Sequence, residues 1–253
     1  MLWGEQELAM AIEEEIRQFL EGAQREGERP WNPDLRNGRH PFVTISRQTG
    51  AGGHSLAQAL LEEMEKQPDP LFHGWKMFDQ ELCRLILEDP KLKVSMQSLL
   101  SEEYRSQIED ILQTLIEGAA TQDAVVRRTF QVLRTLATMG KVILVGRAGC
   151  CVTEGLAFGV HLRLVAPEPV RIRRMMRLLN LSSEEEARRV IKRQDADRAR
   201  LVKDYFNRDI NDPLLYNAVW NTDSVALETV AASVIQMIRG RVGTPCLQPI
   251  PPT

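Results

Sequence analysis

Cysteine is scarce in this chain of 253 residues: Cys83, Cys150, Cys151 and Cys246 are the four. That is too few for a disulfide scaffold, and no C-x2-C pair is present to hold zinc. Adjacent cysteines such as Cys150 and Cys151 make poor joint ligands of one ion, so all four are read as small buried hydrophobes in a reducing compartment. Long apolar runs are missing too, and none reaches the roughly 18 residues needed to cross a bilayer. The opening MLWGEQELAMAIEEE is acidic where a secretory leader carries positive charge, and it holds no unbroken apolar stretch. Nor is there an excess of positive charge: 32 Lys and Arg stand against 35 Asp and Glu, a net charge of −3. A general basic coat for nucleic acid is thereby excluded, and any anion site has to be built locally. A soluble, cytoplasmic protein with no nucleic-acid or membrane partner is expected.

Apolar residues make up 43% and charged residues 26% of the chain, an ordinary globular balance. The length favours one α/β core with insertions. Leu8, Ile12, Ile16 and Leu20 recur at four-residue spacing, which predicts an amphipathic helix over 5–22. Residues 1–40 carry five arginines against nine acidic residues. They read as an N-terminal helical extension whose stripe either packs on its own domain or binds a partner, including a second copy in an oligomer. Pro30, Pro33 and Gly38 break any regular element ahead of a core domain over 41–239. Pro245, Pro249, Pro251 and Pro252 mark 240–253 as a flexible tail.

Within the core, short β-branched or apolar runs predict strands at 42–46 (FVTIS), 76–79, 142–145 (VILV), 160–166 and 218–222. Helical spacing predicts helices from about Ser55, over 81–88, over 101–139 with an interruption at Gly118, over 171–208 and over 225–239. Strands alternating with helices imply an α/β fold, a doubly wound parallel sheet of five strands. In such sheets ligands sit beyond the carboxyl ends of the strands, so the turns after Ser46 and after Val145 are where to look. His161 is read as an outward strand residue, and Tyr205, Phe206 and Trp220 as packing.

The segment FVTIS-RQTGAGGHS-LAQALL places a glycine turn between a strand and a helix. Glycines let backbone N–H groups converge there, and the helix dipole adds positive potential, a device that holds phosphate. It is not a dinucleotide fingerprint, because Ser55 stands where the third glycine belongs. Laid over G-x4-G-K, the first glycine falls on Arg47, the second on Gly52 and the lysine on Gly53. A flexible glycine loop without a ligand is the plain alternative. After Val145, Arg147 ends a buried strand at the crevice. A cation there needs an anion, either a phosphate gripped by two parallel N–H bonds or a structural carboxylate. The 171–208 segment carries twelve Arg and Lys against six Asp and Glu, a basic excess inside an acidic protein.

In order, FVTISRQTGAGGHSLAQAL, FDQEL, VILVGRAG, the arginine helix after HLRLVAP and KRQDADRAR resemble the cytidylate-kinase-like family, P-loop relatives of nucleoside monophosphate kinases, over about 42–238. The resemblance implies a P-loop fold with helical acceptor-binding and lid insertions, ATP as phosphoryl donor and Mg2+ as its companion. It implies that Thr49, Gly50, Ala51, Gly52, Gly53, His54 and Ser55 cradle the donor, with the Ser55 hydroxyl on Mg2+ or capping its own helix. Gly53 stands in the lysine's place, and His54 where an arginine commonly follows. Arg47 is the substitute cation at the loop mouth, and His54 helps only when protonated. Arg147 resembles the arginine that holds the acceptor's phosphate, with Ala148 in place of an aspartate. Asp79 holds the acceptor or metal, or caps a helix. Arg171, Arg174, Arg193 and Arg198 fall where related kinases keep lid arginines, and Asp195 reads as their orienting partner. The expectation is ATP-dependent phosphoryl transfer to a nucleoside monophosphate, CMP or dCMP first. The alternatives are a nucleotide-binding regulator without catalysis and a kinase of another small acceptor.

Overall fold

The computed structural model describes residues 41–79 and 122–243, together with Gln18. Apart from Gln18, which is helical, the expected helices at 5–22, 81–88 and 101–121, and the extension 1–40 with its oligomer-forming stripe, lie outside the described residues, as do Cys83, Cys246 and the tail beyond Gly243.

Five strands form one parallel sheet: β1 (Phe42–Arg47), β2 (Lys76–Phe78), β3 (Val142–Val145), β4 (Gly159–Val165) and β5 (Ala218–Asn221), in the spatial order β2-β3-β1-β4-β5. Among the described residues six α-helices accompany them: α1 (Gly53–Glu65), α2 (Gln122–Met139), the single turn α3 (Gly149–Val152), α4 (Glu168–Leu179), α5 (Glu184–Phe206) and α6 (Leu227–Gly243). Alternate residues of each strand serve opposite faces. Val43, Ile45, Ile143, Val145, Leu162 and Leu164 pack on α1 and α6 through Leu56, Leu60, Val234 and Ile238. Phe42, Phe78, Val142 and Leu144 pack on Val132, Leu133 and Leu136 of α2. Both faces are covered, which is why VILV reads as an unbroken apolar run.

The connection from β1 leads toward β2 while that from β3 crosses over to β4, so the chain leaves these two neighbours in opposite directions. A crevice therefore opens between their carboxyl ends, the switch point where ligands bind in open α/β sheets. The two turns beside it follow Arg47 and Val145.

Several boundaries differ from expectation. The helical segment 171–208 is two helices. Asn180 (φ 52°) ends α4 in the left-handed region, and the Ser183 side chain accepts from the Glu186 amide to start α5. The motif Ser183-x-x-Glu186 is the sequence signature of such a start. The helix α1 begins at Gly53 rather than near Ser55. The helix α6 runs on to Gly243 through residues read as a loose tail, since no proline precedes Pro245. His161 is not an outward residue: its ring lies 6.0 Å from Phe42, and Nδ1 pairs with the Thr44 hydroxyl at 2.8 Å. Burial, then the charge of Arg241, holds this imidazole down at about 4, neutral at ordinary pH. Among the described residues no helix is long and apolar enough to cross a membrane.

Candidate functional site

The turn leaving β1 is tied to the sheet at its start and closed by glycine. The Gln48 amide donates to Leu164 O at 3.0 Å, and its side chain accepts from the Ala166 amide at 3.1 Å. The Ala51 amide then donates back to Gln48 O at 3.1 Å. Gly50 (φ 79°) and Gly52 (φ 87°) occupy the left-handed region. At Gly50 a Cβ would lie 2.8 Å from the Arg171 carbonyl, so both space and conformation require glycine. Gly52 caps α1 without a side chain, and the first turn of α1 contains no acid. No side chain of the helix start covers the Gly53, His54 and Ser55 amides at its positive end, which suits an anion.

Arg47, the last residue of β1, lays its side chain beside Gly53. A Cβ on Gly53 would sit 3.0 Å from Arg47 Cγ and 3.1 Å from Cδ, so the arginine's stem lies across the helix start. A Cβ on Gly146 would overlap Arg47 Nη1, with Cζ at 2.9 Å. The side chain thus spans from one crevice turn to the other, and two glycines make room for it. Burial, then Arg198 and Arg147, pull the Arg47 guanidinium down to about 10, against the opposing pull of Asp79 and Asp195. Positive charge is therefore crowded here beyond what two carboxylates balance.

The turn after β3 is left-handed for three residues running: Gly146 (φ 87°), Arg147 (φ 51°) and Ala148 (φ 54°). For non-glycine residues this conformation costs on the order of 1–3 kcal/mol each, and it clusters where function demands a particular side-chain direction. The Gly149 amide closes the turn on Gly146 O at 3.0 Å.

The segment after β4 reaches back to the first turn. Arg171 donates from Nη1 to Thr49 O at 3.3 Å and to Asp195 Oδ2 at 2.8 Å, and from Nε to Ala166 O at 3.1 Å. Arg174 donates to Gly50 O at 3.3 Å, Thr222 Oγ1 at 2.9 Å and Thr222 O at 2.8 Å. Asp195 accepts from the Thr49 amide at 2.7 Å and the Thr49 hydroxyl at 2.8 Å. Arg198 joins Asp195 at 3.1 Å, Gln194 at 3.2 Å and the Thr49 hydroxyl. Burial above all lowers the Arg198 pKa, with Asp195 opposing.

Not every expected residue converges. Arg193 is exposed on α5, two positions and about 200° around the helix from Asp195, and shares no bond with the turn. His54 turns to Asp79, Nε2 to Oδ2 at 3.1 Å, which brings the end of β2 to the helix start. Ser55 is exposed on the first turn of α1. Ala51 and Thr49 are buried beneath the turn.

Three contributors escaped the sequence reading. Thr222 donates to Ala51 O at 3.0 Å, bracing the turn from β5's end. Arg163, 5% exposed, donates to Ser46 Oγ at 2.8 Å and Asn211 Oδ1 at 3.0 Å and lies over the Tyr216 ring. Tyr216 donates to Ile210 O at 2.8 Å. A charged residue inside the apolar run VHLRLVA was the available signal for Arg163. The others sit in loops with no pattern of their own.

A profile of the cytidylate kinase-like family matches residues 42–224. No curated protein matches the chain. Among solved structures, an uncharacterised protein from Eubacterium ventriosum superposes with a TM-score of 0.58 at 17% identity, covering 79% of this chain and 99% of that one. Shikimate kinase from Acinetobacter baumannii, solved with shikimate, reaches a TM-score of 0.44 at 16% identity, covering 79% and 94%. The first is a likeness of fold. The family match takes in well over half of the chain, including both crevice turns and the arginine helices, and so the chain belongs to the cytidylate kinase-like family.

Proposed function

We propose that this protein transfers the terminal phosphoryl group of ATP to a nucleoside monophosphate, CMP or dCMP first. Membership in a kinase-like family supports nucleotide-dependent phosphoryl transfer in general terms. The observation that carries the reading is the crowding of Arg47, Arg147 and Arg198 at an uncapped helix start. Arg47 is half-buried, and Arg198 and Arg147 together lower it; such crowded guanidiniums call for an anion of several charges, and polyphosphate supplies it.

In this reading the Gly50–Ser55 amides hold the donor's phosphates, and Arg47 delivers the charge that a lysine at 53 would otherwise bring. Arg147, aimed by its left-handed turn, grips the acceptor's phosphate through two parallel N–H bonds. Arg198 neutralises the charge on the transferring group. Arg174 is a positioning residue, since its N–H groups hold the Gly50 carbonyl and Thr222, and Arg171 holds the Thr49 carbonyl beside Asp195. The Ser55 hydroxyl and the Asp79 carboxylate are hard oxygens of the kind Mg2+ takes beside phosphates, and would hold it here. When bound there, Mg2+ would offset the negative charge of the donor's phosphates. Phosphoryl transfer rests mainly on positioning and electrostatics, so this inventory of cations and amides is sufficient without a general base.

ATP and Mg2+ incubated with a panel of nucleoside monophosphates should yield ADP, fastest with a cytidine acceptor. Arg147→Ala should raise the acceptor's KM about tenfold or more while leaving ATP affinity within about twofold. No ADP above background with any nucleotide acceptor overturns the reading. Gly53, in the place of the cytidylate kinases' lysine, and His54, in the place of the related branch's arginine, favour one second reading: a regulator that binds ATP without turning it over. Calorimetric ATP binding with no ADP formed would select it.

A further inference from the structure

We propose that the Thr49 amide, the Thr49 hydroxyl, Arg171 and Arg198 form an oxyanion site on the turn which Asp195 fills with its own carboxylate, and that a polyphosphate binds by displacing it. This rests on the reading of the turn as a phosphate cup and deepens it.

Four donors meet one carboxylate. Asp195 Oδ1 accepts from Thr49 N at 2.7 Å, Thr49 Oγ1 at 2.8 Å and Arg198 Nη1 at 3.1 Å, while Oδ2 accepts from Arg171 Nη1 at 2.8 Å. A backbone amide, a hydroxyl and two guanidiniums are the donor set that phosphoryl oxygens take, and the guanidinium fork suits phosphate as well as carboxylate. One carboxylate balances only one of the two arginines. Three of the donors are anchored independently of Asp195. Thr49 is buried in the glycine turn, and Arg171 is also held by Ala166 O and Thr49 O. The site is therefore rigid, and the acid is the part brought to it from another element.

Asp195 belongs to α5, which carries Arg198 one turn on, so the acid and the arginine reach the turn together. Phosphate oxygens seated beside Thr49 would put two anions within a few ångströms of one another, an arrangement that disfavours one of them. Polyphosphate and Asp195 thus compete for the same N–H groups. Displacing Asp195 releases the bonds it takes from Arg171 Nη1 and Arg198 Nη1 for the ligand, while Arg171 Nε stays on Ala166 O, and α5 then rests on the bound phosphate instead of on the empty-handed turn. The competition lowers apparent affinity by the fraction of molecules whose donors the acid holds.

The full chain is titrated with sodium tripolyphosphate by isothermal titration calorimetry at fixed ionic strength, with thermal melts confirming that each variant folds. Asp195→Asn removes the charge at constant size, and Asp195→Ala serves if the first melts early. Asp197→Asn is the control for general charge removal: Asp197 is exposed, two residues along α5, and within electrostatic reach of Arg198. Competition predicts that a folded Asp195 variant binds about tenfold more tightly than the native chain, and that Asp197→Asn changes affinity about twofold at most. Unchanged or weakened binding in the folded Asp195 variants, or equal tightening by Asp197→Asn, overturns the proposal. Failure of every protein, native included, to bind tripolyphosphate overturns the reading of the turn itself.

Discussion

A lysine is missing from position 53 and an arginine lies where its side chain would begin. The contacts of 3.0–3.3 Å between a Cβ at Gly53 and the Arg47 side chain require that side chain to give way before a residue larger than glycine fits at 53. Arg47→Ala is expected to weaken ATP binding about 10- to 100-fold, the loss of one charged hydrogen bond. Gly53→Lys alone should gain nothing, because the new side chain meets Arg47, whereas Gly53→Lys added to Arg47→Ala should recover most of the lost affinity. A calorimetric double-mutant cycle measures this. Independent, additive effects would show that Arg47 does not fill the lysine's role. At this scale the sequence exposed what was local. Arg47, Gly50 and Arg147 each announce themselves by residue type beside a strand end. Arg163 and Ser46 are 117 positions apart, and Thr222 and Ala51 171 apart, so their pairings needed the fold.

Among elements, β1 and β4 share a partner whose protonation matters. His161 is neutral down to about 4 in the folded protein, against 6.5 for a free imidazole. Between those pH values the unfolded chain binds a proton that the folded chain does not, so stability falls as pH drops through this window and is intact above it. Urea unfolding across pH 4–6.5 should show a loss of at most about 1.4 kcal/mol per pH unit from this residue. His161→Asn should flatten that part of the profile, and an unchanged slope would assign the acid sensitivity elsewhere. The histidine was misread because alternation along a strand gives its face but not what covers that face. The break in 171–208 was more legible than the periodicity suggested. Charge and helical spacing run through it, yet Asn180 and the Ser183–Glu186 cap interrupt them by turn chemistry that periodicity does not weigh.

At the level of the molecule, short strands alternating with helices were enough to specify a parallel sheet, with VILV reading as a strand buried on both faces while the edge strand β5 alternates. The strand order was not contained in them. It follows from which strand each crossover passes, and that order sets β1 beside β3 so that two glycine-rich turns face one crevice. We propose that the Gly50–Ser55 amides and Arg47 form a polyphosphate cup at this switch point. Amide chemical shifts in 15N–1H spectra, followed through a titration with ATP and Mg2+, test it most directly. The largest saturable changes are predicted at Gly52, Gly53, His54 and Ser55, and they should disappear in Arg47→Ala at the same ligand concentration. Saturating ATP that leaves these four amides unmoved in the native chain would contradict the account.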